Sequence, residues 1–170
     1  MDPKADAAHA ANLIEQLPDD IRPLALRTLE CYSRRDPHTG PFGWRLGLHY
    51  LERKSGQVAC AIDIDRSLYN PGNIAHGGVV FTLADSAMGA AVFMMLGPGQ
   101  RSVTAELKLN YLAPVTSGTV TATANVVKKG KRLAVVTAEV RDDRDRLIGL
   151  AQGTFAIVDV AEQRPVEGDS

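Results

Sequence analysis

From His76 to Leu96 the chain reads HGGVVFTLADSAMGAAVFMML, and Gly97-Pro98-Gly99 follows as a stop signal. Its apolar and small residues predict a helix about 30 Å long. That helix is apolar or small on nearly every side, so other elements must wrap it. Asp85 is the single charged residue between His76 and Arg101. With that charge near the middle and glycines at 77, 78, 89, 97 and 99, the uninterrupted apolar run is too short to span a membrane comfortably. The segment therefore reads as a helix buried inside a protein.

The flanking sequence supplies the wrapping. Before the helix, Trp44 to Glu52 and Gln57 to Ile64 have strand patterns, separated by the polar loop Arg53-Lys54-Ser55-Gly56. After it, Val103, Ala105, Leu107, Leu109 and Tyr111 alternate with Ser102, Thr104, Glu106, Lys108 and Asn110. The same period of two recurs over Thr119 to Val126, and Arg132 to Arg141 and Leu147 to Val158 supply two more strands. Short turns at Lys129-Gly130 and Asp142 to Asp145 predict that the last four strands form an antiparallel meander. An antiparallel sheet curled around one apolar helix satisfies the burial demand of both, an α+β domain of two layers. Residues 1–40 form a separate helical segment in which Pro18 divides two short helices, the main domain covers 41–160, and the acidic tail 161–170 is expected to fray.

The whole chain has 170 residues, 45% of them hydrophobic and 23% charged, an ordinary balance for one globular domain. Nineteen basic and twenty acidic residues give a net charge of −1, which disfavours nucleic acid or an anionic membrane as partner. Cys31 and Cys60 form no metal or disulfide pattern and read as thiols of a reducing compartment. The first residues lack the features of a secretory signal or transit peptide, so a cytoplasmic location is expected.

Chemistry concentrates at three places. Gly77 and Gly78 at a helix N-terminus leave backbone N–H groups accessible to developing negative charge, as an oxyanion hole requires. The same glycines would also let the helix pack closely against the sheet. Asp85, a carboxylate in an apolar helix, must be hydrogen-bonded, neutralised or exposed to a wet cavity; it reads either as a functional group or as part of a core network with Ser86 or Thr82. Lys128, Lys129, Lys131 and Arg132 surround Gly130 in one hairpin, which is either a solvated turn or a phosphate-recognition site. His76 suits a base or, with no acidic neighbour in sequence, a hydrogen-bonding residue at the helix start. Thr104 could orient a water toward Asp85 or be an ordinary strand threonine. No phosphate loop, dinucleotide fingerprint, nucleophile elbow or metal-ligand cluster accompanies these residues, so no metal and no cofactor are expected. Gly77 and Asp85 lie eight residues apart, about 12 Å along one axis, and cannot both touch one carbonyl. Two such helices lying antiparallel across a two-fold axis would bring Asp85 of one copy to Gly77 of the other.

Asn70, the sequence His76-Gly77-Gly78, and Asp85 within Leu83-Ala84-Asp85 together resemble the signature of acyl-CoA thioesterases of the PaaI-like, thioesterase-superfamily type. The likeness continues through Thr104, Asn110 to Pro114 and Lys128 to Leu133, covering about residues 42–158. It implies the hotdog fold and hydrolysis of an acyl-CoA to free acid and CoA. It further implies that Asp85 is general base or nucleophile, that the Gly77 amide of the partner subunit polarises the carbonyl, and that Asn70 positions carbonyl or water. By the same likeness the Thr104 hydroxyl supports attack, and Tyr111 to Thr116 with Lys128 to Leu133 contact CoA. A homo-oligomer follows, a dimer from the helix geometry and a tetramer from the resemblance. Two other readings stay open. One is a hydratase using His76 with Asp63 or Asp65, and the other a non-catalytic acyl-CoA-binding module. Met88, Phe93, Met94 and Met95 could line an aromatic or an aliphatic acyl pocket or simply fill the core.

Overall fold

A computed structural model describes residues 3–159. Helices α1 (Pro3–Glu15) and α2 (Arg22–Ser33) are divided at Pro18 as expected. Arg22 reaches back to the carbonyls of Ile14, Glu15 and Leu17, tying the start of α2 to the end of α1. The tail from residue 161 lies outside the described residues.

The first expected strand begins later than its pattern suggests. Pro41 opens a short helix, α3 (Pro41–Leu46), and Gly47 ends it with φ 72°. Strand β1 is therefore His49–Lys54, and its hairpin to β2 (Gln57–Ile64) turns on Ser55 and Gly56 alone. Arg53 belongs to the strand and not to the loop. The central helix, α4 (Gly77–Phe93), has 17 residues, about 26 Å, because Met94 already caps its C-terminus.

Strands β3 (Gln100–Tyr111), β4 (Gly118–Lys129), β5 (Leu133–Asp142) and β6 (Leu147–Asp159) complete one antiparallel sheet of order β1-β2-β4-β5-β6-β3. The expected four-strand meander is thus three strands, β4 to β6. β4 docks on β2, and β3 lies at the far edge against β6. The short connection did not require neighbours. Six residues, 112–117, can reach roughly 20 Å, whereas three strand spacings are only about 14 Å.

The sheet curls around α4, which contacts all six strands. Val80, Leu83, Ala84, Ala87, Met88, Ala91 and Val92 are buried against Ile62, Val120, Val136, Ile148 and Phe155. This is the expected α+β hotdog architecture. The wrapping is incomplete, however: Phe81 and Phe93 are 38% and 45% exposed, and Thr82, Asp85, Ser86, Gly89 and Ala90 between them are only half-buried. Their spacing of three and four residues makes one uncovered stripe down the helix.

β3 departs from strict alternation. A bulge between Thr104 and Glu106 leaves Ala105 unpaired against β6 and shifts the facing pattern. Ser102 and Thr104 consequently face α4, whereas Val103, expected inside, is 52% exposed. Beyond the bulge Leu107 and Leu109 pack on the core as expected. No helix among the described residues is long and apolar enough to cross a membrane.

The N-terminal helices are fastened to the domain by carboxylates. Arg27 of α2 pairs with Asp65 at 2.6 Å. The Asp36 side chain accepts the amides of His38 and Tyr50, each at 2.8 Å, and its carbonyl accepts Trp44 Nε1. Burial by itself would raise both acids, but the amides around Asp36, and Ser67 with Arg27 around Asp65, hold each carboxyl below its usual range.

Candidate active site

The loop before α4 is built by Asn70. Its side-chain oxygen accepts from Gly72 N, its own amide donates to Ile74 O, and its carbonyl accepts from Asn73 N, where φ is 58°. Leu68 and Val115 carbonyls hold the next amides, those of His76 and Ala75, at 2.8 Å each. The chain is thereby delivered to α4 with His76 as N-cap, its Nδ1 accepting from Gly78 N at 2.9 Å. A neutral His76 in this role carries its proton on Nε2. The Gly78 amide is thus taken, and the Gly77 amide donates to no acceptor among the described residues. Helix-end reasoning alone did not separate the two glycines; the family resemblance singled out the Gly77 amide and left Gly78 to substrate binding.

Tyr111, at the end of β3, donates its hydroxyl to Gly77 O at 2.9 Å. Its ring packs so closely that a Cβ on Gly77 would lie 3.2 Å from the phenol oxygen. Asn70, His76, Gly77, Gly78 and Tyr111 line one cavity of about 590 Å³. Its wall offers an unpaired N–H at the positive end of a helix dipole.

Asp85 belongs to a second cavity, of about 570 Å³. Thr104 Oγ1 donates to Asp85 Oδ1 at 2.8 Å, so the carboxylate's partner lies across the bulged strand and not at Thr82 or Ser86. Ser102 braces the same helix by donating to Gly89 O at 3.2 Å. The other walls bring residues without a sequence signal: His38 and Phe42 from the α2 to α3 region, and Tyr50 and Arg53 from β1. Nothing in their local spacing announces a site, because only tertiary packing carries them to α4.

Lys128, Lys129, Gly130, Lys131 and Arg132 are exposed on the β4 to β5 turn, and their cations form no ion pair among the described residues. Leu133 and Val103 both pair with Ala156, so the hairpin flanks the Thr104 end of β3. Tyr111 pairs with Gly149, seven residues along β6 from Ala156 and about 23 Å away. Within one chain the site residues therefore form two groups: Asn70, His76, Gly77, Gly78 and Tyr111 at one end, Asp85, Thr104 and the basic hairpin at the other.

Other acids are occupied. Asp63 accepts from Thr119 at 2.6 Å and Asp65 is held by Arg27 and Ser67, so neither forms an acid/base pair with His76. Both cysteines are buried, and burial pushes the Cys60 thiol up to about 12. No cluster of potential metal ligands occurs among the described residues.

A family profile described as Thioesterase superfamily matches residues 72–148, a stretch containing both Gly77 and Asp85. A protein of Saccharolobus solfataricus named as an esterase is 34% identical over 112 residues, 66% of this chain and 74% of its own. The 1,4-dihydroxy-2-naphthoyl-CoA hydrolase of Listeria monocytogenes is 25% identical over 66% of this chain and 91% of its own. Among solved structures, a mutant of the phenylacetic acid degradation protein PaaI from Thermus thermophilus superposes with a TM-score of 0.64 at 30% identity, covering 69% of this chain and 98% of that one. By sequence, by fold and by the matched segment that carries the candidate site, the chain belongs to the thioesterase superfamily.

Proposed function

We propose that the protein hydrolyses an acyl-CoA thioester to a free acid and CoA, in sites shared between two copies of the chain. The observation that carries this reading is the pairing on one helix of a free amide at Gly77 with a Thr104-held carboxylate at Asp85, about 12 Å apart. One carbonyl cannot meet both in a single chain.

Two structural features support assembly. β3 is an edge strand of 12 residues with a row of unpaired backbone groups, and the stripe from Phe81 to Phe93 leaves α4 uncovered. If a second copy continues the sheet along β3, the two α4 helices run antiparallel. Asp85 of one chain then faces Gly77 of the other, twice per dimer.

In such a site the Gly77 N–H and helix dipole stabilise the oxyanion, and Asn70 positions the carbonyl or the water. Asp85 takes a proton from water as it attacks, or attacks the carbonyl carbon itself. In the first route a C–O bond to water forms, the C–S bond breaks, and the proton held by Asp85 passes to the departing sulfur. In the second, CoA leaves as the thiolate from an Asp85 anhydride, which water then hydrolyses to the free acid and the restored carboxylate. Thr104 fixes the carboxylate, Tyr111 fixes the Gly77 peptide, and His76 closes the helix end. The basic hairpin supplies charge for the phosphates of CoA. A relative named as a CoA hydrolase is in keeping with this substrate class. The occupied state of Asp63 and Asp65 argues against a hydratase, which needs an acid beside His76.

The test is thiol release from a panel of acyl-CoA esters by the wild type and by a folded Asp85→Asn variant of the same oligomeric state. Turnover should fall about 10²- to 10⁴-fold in the variant. Equal turnover would refute the assignment, and tight binding without any turnover would favour a binding module.

A further inference from the structure

We propose that Arg53 binds an acceptor oxygen at the far end of the acyl group, so that the preferred substrate carries a hydroxyl or carboxylate distal to its thioester. This rests on the thioesterase reading, since it places the acyl group in the cavity beside Asp85.

Arg53 lies in the wall of that cavity on β1. Its Nε is the one buried side-chain nitrogen or oxygen among the described residues that lacks a hydrogen-bond partner. The rest of the guanidinium is also weakly engaged. Nη2 lies 3.7 Å from the Met94 thioether, and the group stands 5.3 Å from the centroid of the Tyr50 ring. No carboxylate among the described residues comes within ion-pair distance. Asp36 is close enough to influence it electrostatically, but its oxygens accept from His38 N and Tyr50 N. A buried donor on a permanent cation is costly when unpaired, and a guanidinium suits an oxygen acceptor.

The position of Arg53 sets where that acceptor must be. Asp85 and Met94 are nine residues apart, about 13 Å along the helix axis, so Arg53 sits at the opposite end of the cavity from the carboxylate. Phe42, Tyr50, Phe93 and Phe155 line the same cavity. An acyl group filling it has an apolar body with the thioester at Asp85 and an oxygen at Arg53. A ring-borne hydroxyl and a terminal carboxylate both satisfy this chemistry.

Two substrate pairs distinguish the sources: phenylacetyl-CoA against para-hydroxyphenylacetyl-CoA, and octanoyl-CoA against octanedioyl-CoA. At least one oxygen-bearing member should be favoured about 10- to 100-fold in kcat/KM, with the ratio collapsing toward one in Arg53→Met and staying intermediate in Arg53→Lys. Arg53→Met should melt at or above the wild-type temperature, because it deletes an unpaired donor. Binding of thioether analogues of the same pairs, measured calorimetrically, separates this proposal from the hydrolytic one. Arg53-dependent discrimination in binding with no turnover of any ester would uphold the Arg53 site and refute the thioesterase reading. Ratios near one in both pairs, or ratios unchanged by Arg53→Met, would overturn the Arg53 site whatever the turnover.

Discussion

The two ends of the working stretch of α4 are built by different means. At Gly77 the important group is a main-chain N–H, exposed by an Asn70 turn and a His76 cap and fixed from behind by Tyr111. At Asp85 it is a side chain, held by Thr104 from a strand whose bulge turns its polar face inward. The first end can polarise a carbonyl and has no base in reach; the second has a carboxylate and no unpaired helix amide. Each supplies what the other lacks, and under the proposed function the difference means that one folded chain holds two halves of a site and no complete one.

The sharpest way to break this comparison is to remove the Gly77 N–H without removing the helix. Proline is well tolerated at the first helical position, and His76 already has the extended ψ of 134° that a following proline prefers. Gly77→Pro should lower kcat about 10²- to 10³-fold with a native far-UV spectrum. Gly77→Ala, which keeps the N–H but crowds Tyr111, should lose much less. Similar losses in the two folded variants would show that shape, and not the amide, matters at this end.

At the other end Thr104→Val keeps the shape and removes the donor to Asp85. A fall in kcat of about tenfold is expected, in line with the roughly 1.5 kcal/mol of a hydrogen bond to a charged group, and Thr104→Ser should restore most of it. An unchanged kcat in the valine variant would show that the Thr104 hydroxyl does not support the carboxylate. Tyr111→Phe should have a smaller effect, a few-fold in kcat with about 1 kcal/mol of stability lost in chemical denaturation.

The smallest effect concerns the segment that roofs the Asp85 cavity. Asp36 and Asp65 have folded-state pKa values below the ordinary value, so their contribution is complete above about pH 4 and is lost as pH falls through the lowered values. Trp44, the single tryptophan, is bonded to the Asp36 carbonyl. Its fluorescence should therefore change on acidification before the sheet signal does. Asp36→Asn should flatten that early change, and coincident transitions in the wild type would show that the segment does not undock separately.

Much of this was legible in the sequence. A lone carboxylate in an apolar helix and a glycine pair at its start marked α4 and both candidate groups on it, because charge burial and helix ends obey local rules. Three features resisted for physical reasons. The alternation from Val103 to Tyr111 looked unbroken because a bulge at Ala105 changes the facing of residues without changing their order. The meander failed because a six-residue connection can bypass two strands as readily as join neighbours. His38, Phe42 and Arg53 carried no signal because their sharing of one cavity with Asp85 depends on contacts between distant parts of the chain, such as Asp36 with Tyr50.

The central claim, that one chain's Asp85 works with the other's Gly77, is tested most directly by mixing the inactive Asp85→Asn and Gly77→Pro proteins, unfolding and refolding them together, and assaying thiol release. Random pairing should make half the dimers mixed, each with one intact site, and restore about one quarter of wild-type activity. Activity that stays at the level of the two separate variants, with mixed oligomers demonstrated by mass spectrometry, would contradict the shared site.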